Sequence, residues 1–239
     1  MDSQKISIAI DGPAGSGKST IAKQVAQNFG YIYIDTVAMY RAITLKALRT
    51  DTPLADGNLL TRLAGDTAIR LEYETLNQGL QLHVNMDDSD VSEEIRSIEV
   101  TNHVSVVAAV AGVREAMVKL QRNMAKNGGV VMDGRDIGTV VLPKAELKIF
   151  LTASVSERSK RRWLELQGKG ITVELQELEE QIRQRDFFDS HREIDPLRQA
   201  KQAILLDTTN LSIEQVVAKV SELAVTKGAR IIGEKSAVY

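Results

Sequence analysis

The rhythm of apolar positions changes within the first thirty residues. Ile6, Ile8 and Ile10 alternate with Ser7 and Ala9, which predicts a strand, whereas Ile21, Ala22, Val25, Ala26 and Phe29 recur at helical spacing. Gly30 ends that helix. Tyr31-Ile32-Tyr33-Ile34 predicts a second strand with Asp35-Thr36 at its tip, and a helix follows through Tyr40, Leu45 and Leu48. The apolar run at 129–133, ending in an acid, reads as a buried parallel strand, and the runs at 147–151 and 203–207 as the next strand and the last. Five strands separated by helices predict an α/β fold, a doubly wound five-stranded parallel sheet with flanking helices. A last helix over 212–226 would bury Val216, Val217, Val220 and Leu223.

Two stretches depart from this βα alternation. Between Pro53 and Val91, Ile69-Leu71-Tyr73 and Leu80-Leu82-Val84 alternate around a turn containing Asn77-Gln78-Gly79, which predicts a hairpin with a third strand at 86–91. Such a β-rich insertion either shapes a substrate pocket or is ornament. Ser92-Glu93-Glu94 then supplies an N-cap and two acids for a helical region running through Val106 and Val110 to Met124. Ser105 and Arg114 would face opposite ways on one unbroken helix, so a shared site requires a break near Gly112. The second departure is a helical hairpin between the last two strands, interrupted at Gln167-Gly168-Lys169-Gly170.

Between the first strand and first helix lies Gly12-Pro13-Ala14-Gly15-Ser16-Gly17-Lys18-Ser19, a full match to the phosphate-binding loop G-x-x-x-x-G-K-[ST]. Strand, glycine-rich turn and helix N-terminus aim backbone N–H groups and a positive dipole end at a nucleoside triphosphate. Lys18 would reach the β- and γ-phosphates, and the Ser19 hydroxyl would join a Mg²⁺ shell. At the second strand, Asp35 or Thr36 could cap the next helix or face a ligand.

Charge and composition narrow the partners. The 239 residues carry 30 Lys+Arg against 32 Asp+Glu, without the basic excess of a polymeric nucleic-acid binder. Cysteine is absent, which excludes disulfides and thiolate chemistry and fits the cytoplasm. No apolar run approaches the roughly 18 residues of a membrane span, and a soluble, unexported protein is expected. Without a sustained apolar stripe on a surface helix, a monomer is expected. In the helical hairpin, Arg158, Arg161 and Arg162 share a broad face, and Arg185, Asp189 and Arg192 lie on one stripe. That stripe suits an ion-pair ladder as well as a phosphate clamp; beside a phosphate loop the clamp gains weight.

Several stretches together resemble the bacterial cytidylate kinases, from Ile8 to Val217: Ile10-Asp11-Gly12 into the loop, Asp35 to Arg41, Asp90 to Arg96, Asp133-Gly134-Arg135-Asp136-Ile137-Gly138-Thr139-Val140-Val141, and Leu211 to Val216. The resemblance implies a P-loop kinase moving the γ-phosphoryl group of ATP, with Mg²⁺, to CMP or dCMP. It implies a core (1–52, 101–152, 172–239), an acceptor-binding insertion (53–100) and a helical lid (153–171). ATP would lie on residues 12–19 and Thr20. Thr36 would stand near the acceptor, Ser105 and Asp136 would meet the cytosine, and Arg114 would read base or phosphate. Arg185 and Asp189 would approach the sugar hydroxyls, while Arg41, Arg135 and Arg192 would hold phosphate. Arg158 and Arg162 would close with Lys18 over the transferring group, and Asp133, the acid at its strand tip, joins the substrate-binding set. A carboxylate such as Asp136 suits the exocyclic amine of cytosine.

Val37 departs from the glycine this family usually carries there, and either begins a helix harmlessly or crowds the acceptor. Two rivals remain in view. One is a P-loop kinase with another small acceptor; the other is a nucleotide switch, which would normally carry an Asn-Lys-x-Asp guanine reader that this chain lacks.

Overall fold

The structure, a computed structural model, describes residues 5–76, 79–168 and 170–232. Asn77 and Gln78 of the expected turn, Lys169 of the expected interruption, and the ends before 5 and after 232 lie outside the described residues. In chain order the elements begin with β1 (Ser7–Asp11), α1 (Lys18–Phe29), β2 (Ile32–Asp35), α2 (Thr36–Arg49) and α3 (Gly57–Gly65). Next come β3 (Ile69–Leu76), β4 (Gly79–Met86), β5 (Ser89–Asp90), α4 (Ile98–Val107) and α5 (Ala111–Met124). The remainder is β6 (Val130–Gly134), β7 (Leu147–Thr152), α6 (Val155–Gly168), α7 (Leu175–His191), β8 (Ile204–Asp207) and α8 (Ile213–Thr226). The described residues fall in two units, one within 5–33, 127–191 and 195–232, the other within Ile34–Lys126 and Arg192–Ile194.

The first unit is built on the five-stranded sheet, in the order β2-β6-β1-β7-β8, with β1 parallel to β6 and β7, and β7 parallel to β8. The middle of the sheet is buried on both faces, with Ile8, Ala9, Ile10, Val131 and Met132 all fully buried, and α1 packs against β6 and β1. At the rim, β8 leaves Leu205 exposed. Gly30 ends α1 in the left-handed conformation (φ 60°), with its N–H returned to the last turn. α8 has a full capping box between Ser212 and Gln215 and packs on α1. α6 and α7 pack as the expected hairpin, and the Trp163 indole N–H donates to the Val173 carbonyl at 3.1 Å, strapping α6 to the segment before α7.

The second unit contains the antiparallel β3-β4-β5 sheet, as the alternation predicts. Asp35 caps α2 by accepting from the Ala38 N–H at 2.9 Å, so Thr36 and Val37 are its first helical residues, and Val37 is not among the positive-φ residues. The backbone at position 37 therefore does not require glycine. α3 was not foreseen, although Asp56 caps it by accepting from Asn58 and Leu59. Ser92 does not cap the following helix: its hydroxyl accepts from the Val84 N–H on β4, a short 3₁₀ turn spans Glu94–Arg96, and Ser97 caps α4. The break between Ser105 and Arg114 exists, but it lies at 108–110. Gly112 sits inside α5, where a Cβ would stand 2.2 Å from Thr61 Cγ2 of α3; the small residue serves helix contact, not interruption.

Candidate active site

The loop after β1 is shaped by close approach. A Cβ at Gly12, whose φ is 151°, would stand 2.0 Å from the Leu151 carbonyl oxygen on β7. The chain turns through residues 12–17 and enters α1 at Lys18, with no acidic side chain in the first turn to satisfy its N–H groups. Lys18 folds back on the loop, donating to the Pro13 carbonyl at 2.7 Å and Ser16 Oγ at 3.3 Å. Burial, then the charges of Arg135 and Arg185, push the Lys18 ammonium well below the usual amine range, against the pull of Asp133 and Asp11. The lysine's hydrogen-bond acceptors are neutral oxygens, an arrangement that leaves its charge to favour a polyanion. Ser19 and Thr20 are exposed at the loop's end.

At the tip of β6, Asp133 is 1% exposed and accepts from two hydroxyls, Ser19 Oγ at 2.9 Å and Tyr33 Oη at 2.8 Å. A hydroxyl and a carboxylate brought together beside a phosphate loop are the donor set that suits Mg²⁺, which takes few protein oxygens and completes its shell with phosphate and water. No cluster of three or more His, Cys, Asp or Glu among the described residues offers a rival cage.

Beyond Asp133 the chain turns a corner. Arg135 Nε pairs with Asp189 Oδ2 on α7 at 2.8 Å, both side chains nearly buried. Asp136 is also buried, and a π-helical turn, Ile137–Val141, follows it. Asp11, the last residue of β1, accepts from both Ile137 N and Gly138 N, each at 2.7 Å. Burial pushes the Asp11 carboxyl up to about 6, although these two N–H groups hold it down.

The helical hairpin delivers its arginines differently from one another. Arg158 is buried and donates to the Ala14 carbonyl of the phosphate loop at 3.0 Å, to the Ala153 carbonyl at 2.9 Å, and pairs with Asp186 at 2.7 Å. Arg161 bonds Thr208 after β8, and a Cβ at Gly17 would lie 3.9 Å from its Nη1. Arg162 pairs with Glu165 of its own helix. Arg185, on α7, is half-buried.

The other expected acceptor residues belong to the second unit. Thr36 is buried in the first turn of α2, and Arg41 of the same helix donates to the Ile95 carbonyl at 3.3 Å. Arg114 is 2% exposed, donates to the Ala108 carbonyl in the break before α5, and lies 5.7 Å from the Tyr40 ring centroid. Ser105 is half-buried on α4, and Arg192 follows α7. Three contributors escaped sequence reasoning: Asp11, Tyr33 and Asp186. For Asp11 the signal was present, since a carboxylate ending a buried strand needs donors, but nothing local named them.

The family model for cytidylate kinase matches residues 8–226. The chain is 53% identical to the cytidylate kinase of Leuconostoc mesenteroides subsp. mesenteroides over 216 residues, 90% of this chain and 95% of that one. It is 55% identical to the cytidylate kinase of Desulforamulus reducens over 210 residues, covering 88% and 92% of the two chains. With that of Bacillus pumilus the identity is 54% over 221 residues, covering 92% and 96%.

Proposed function

The chain belongs to the cytidylate kinase family, and we infer that it transfers the γ-phosphoryl group of ATP to CMP or dCMP, giving ADP and CDP or dCDP. On the chain itself, the observation that carries this reading is the buried Lys18 held against the phosphate loop, donating to the Pro13 carbonyl and Ser16 Oγ, with Ser19 tied to Asp133 beside it. A polyphosphate on the loop would meet that ammonium and the N-terminus of α1.

The chemistry is displacement in line: an acceptor phosphate oxygen attacks the γ-phosphorus as the bond to the β-phosphate oxygen breaks, with no enzyme-bound intermediate. Gly12, Pro13, Ala14, Gly15, Ser16, Gly17, Ser19 and Thr20 would receive the donor phosphates, and Lys18 would neutralise charge gathering on the β- and γ-oxygens. Ser19 and Asp133 would hold Mg²⁺, which supplies further neutralisation when bound. Arg158, already against the loop at Ala14, and Arg162 would add positive charge over the transferring group, the segment 153–171 acting as a lid. Arg41, Arg135 and Arg192 would hold the acceptor phosphate, and Arg185 and Asp189 its sugar. Asp136, Ser105 and Arg114 would read the cytosine, with Thr36 beside the acceptor and residues 53–100 forming the acceptor-binding insertion. We place the enzyme in the cytoplasm as a monomer: the family's substrates are small nucleotides, and exposed large apolar side chains are spread over many elements. No helix of the described residues is long and apolar enough to cross a membrane.

A panel of CMP, dCMP, UMP, AMP and GMP with ATP and Mg²⁺ tests the reading. Rapid ADP formation with CMP or dCMP is expected; a preference for AMP, or turnover of water alone, would overturn it.

A further inference from the structure

Asp11 lies between the two halves of the first unit's chemistry. On its C-terminal side Gly12 opens the phosphate loop, and across the sheet its backbone pairs with Gly134 on β6 and Phe150 on β7. Its carboxylate, 3% exposed, reaches past Gly134 and takes the N–H groups of Ile137 and Gly138, one on each oxygen. The chain from 134 to 138 is thus held at both ends by one residue, and the two positions between the holds are Arg135 and Asp136. The fit is tight from the other side as well: a Cβ at Gly138 would stand 3.2 Å from Asp11 Oδ2 and 3.2 Å from Ala200 Cβ.

We propose that Asp11 is a positioning residue for the acceptor: its two-oxygen grip fixes the Arg135–Asp136 corner, and so sets CMP affinity and base choice without touching substrate. The proposal deepens the kinase reading and rests on it. Only a carboxylate can make both bonds. Asparagine keeps one acceptor oxygen, but its amide nitrogen is a donor facing a donor. The strand pairings of Asp11 do not involve its side chain, so the phosphate loop keeps its anchor when the carboxylate is lost.

The test uses the full chain as Asp11→Asn and, separately, as Gly138→Ala, which presses a methyl group on the same carboxylate. Loss of a charge-assisted bond predicts a CMP KM raised about tenfold and a CMP over UMP preference in kcat/KM lowered about fivefold, with the ATP KM within about twofold. Hydrogen exchange of the Ile137 and Gly138 amides should accelerate in Asp11→Asn, whatever the activity. Should that variant fold poorly, Gly138→Ala carries the same expectation. A folded variant with unchanged CMP KM and base preference, or with ATP and CMP KM raised alike, would overturn the proposal. Wild-type protein that ignores CMP would instead refute the kinase reading on which it stands.

Discussion

Ser19 donates its hydroxyl proton to Asp133 Oδ2 at 2.9 Å, although 114 positions separate them. The bond fixes the hydroxyl while leaving its oxygen lone pairs available to a cation, so the two residues act together. Asp133→Asn is expected to raise the free Mg²⁺ needed for half-maximal rate by about tenfold, as loss of one charged oxygen ligand should. Initial rates across a Mg²⁺ series at saturating ATP decide it; an unmoved midpoint removes Asp133 from the cation site.

Lys18→Ala should lower kcat by about 10²- to 10³-fold, the usual effect of removing one preorganised donor to developing charge. Stability should hold or rise, because the lost ammonium is buried and repelled by Arg135 and Arg185. Thermal unfolding beside single-turnover kinetics separates the two effects. A rate close to wild type would take Lys18 out of the reaction.

Asp136→Asn should narrow the gap between CMP and UMP, mostly through KM, because an amide can donate to the carbonyl that UMP presents where a carboxylate only accepts. Steady-state constants for both acceptors measure this. An unaltered CMP to UMP ratio would show that Asp136 does not read the base.

The Asp11 carboxyl gives stability a pH dependence whose sign can be worked out. It ionises near 3.8 when free and at about 6 in the fold, so between these values the folded chain keeps a proton that the unfolded chain has lost. The stabilisation is complete below the lower value and disappears as pH rises through the upper one, about 3 kcal/mol in all. Urea unfolding of wild type and Asp11→Asn should show wild type losing ground by roughly this amount between about pH 4 and pH 7. Parallel stability curves would contradict it.

Gly112→Ala should destabilise by about 1–3 kcal/mol, since the new methyl group meets Thr61, whose hydroxyl is tied to the Gly57 carbonyl at 2.6 Å. Gly65→Ala, at the end of the same neighbouring helix with nothing within 4 Å, should stabilise by about 0.5 kcal/mol. Chemical unfolding of the pair supplies its own control, and equal shifts would refute the crowding at Gly112.

The sheet and the phosphate loop were legible because both are written locally: alternation gives β1, and eight consecutive residues give the loop. Lys18 and Ser19 could be named from that motif alone. Asp11 could not, because its partners Ile137 and Gly138 lie more than a hundred positions away and contribute only backbone N–H groups, which every residue except proline carries. The Ser92 cap was misread for a related reason, as a hydroxyl ahead of two acids looks like a helix start until β4 offers Val84 N as a competing donor. α3 was missed between Pro53 and the hairpin although Asp56 and the leucines after it are ordinary helix signals. The displaced break shows the same limit: Gly112 reads as a breaker in one dimension and as a packing residue once Thr61 stands opposite.

Trp163 is the only tryptophan in the chain, and its indole N–H closes the strap between α6 and Val173. An indole that loses such a bond and meets water shifts its emission to the red. Opening or closure of the segment proposed as the lid therefore writes itself into the intrinsic fluorescence, with no competing indole elsewhere. Rapid mixing with ATP, with CMP, or with both would time that movement on the unlabelled protein, and would tell which nucleotide the hairpin waits for.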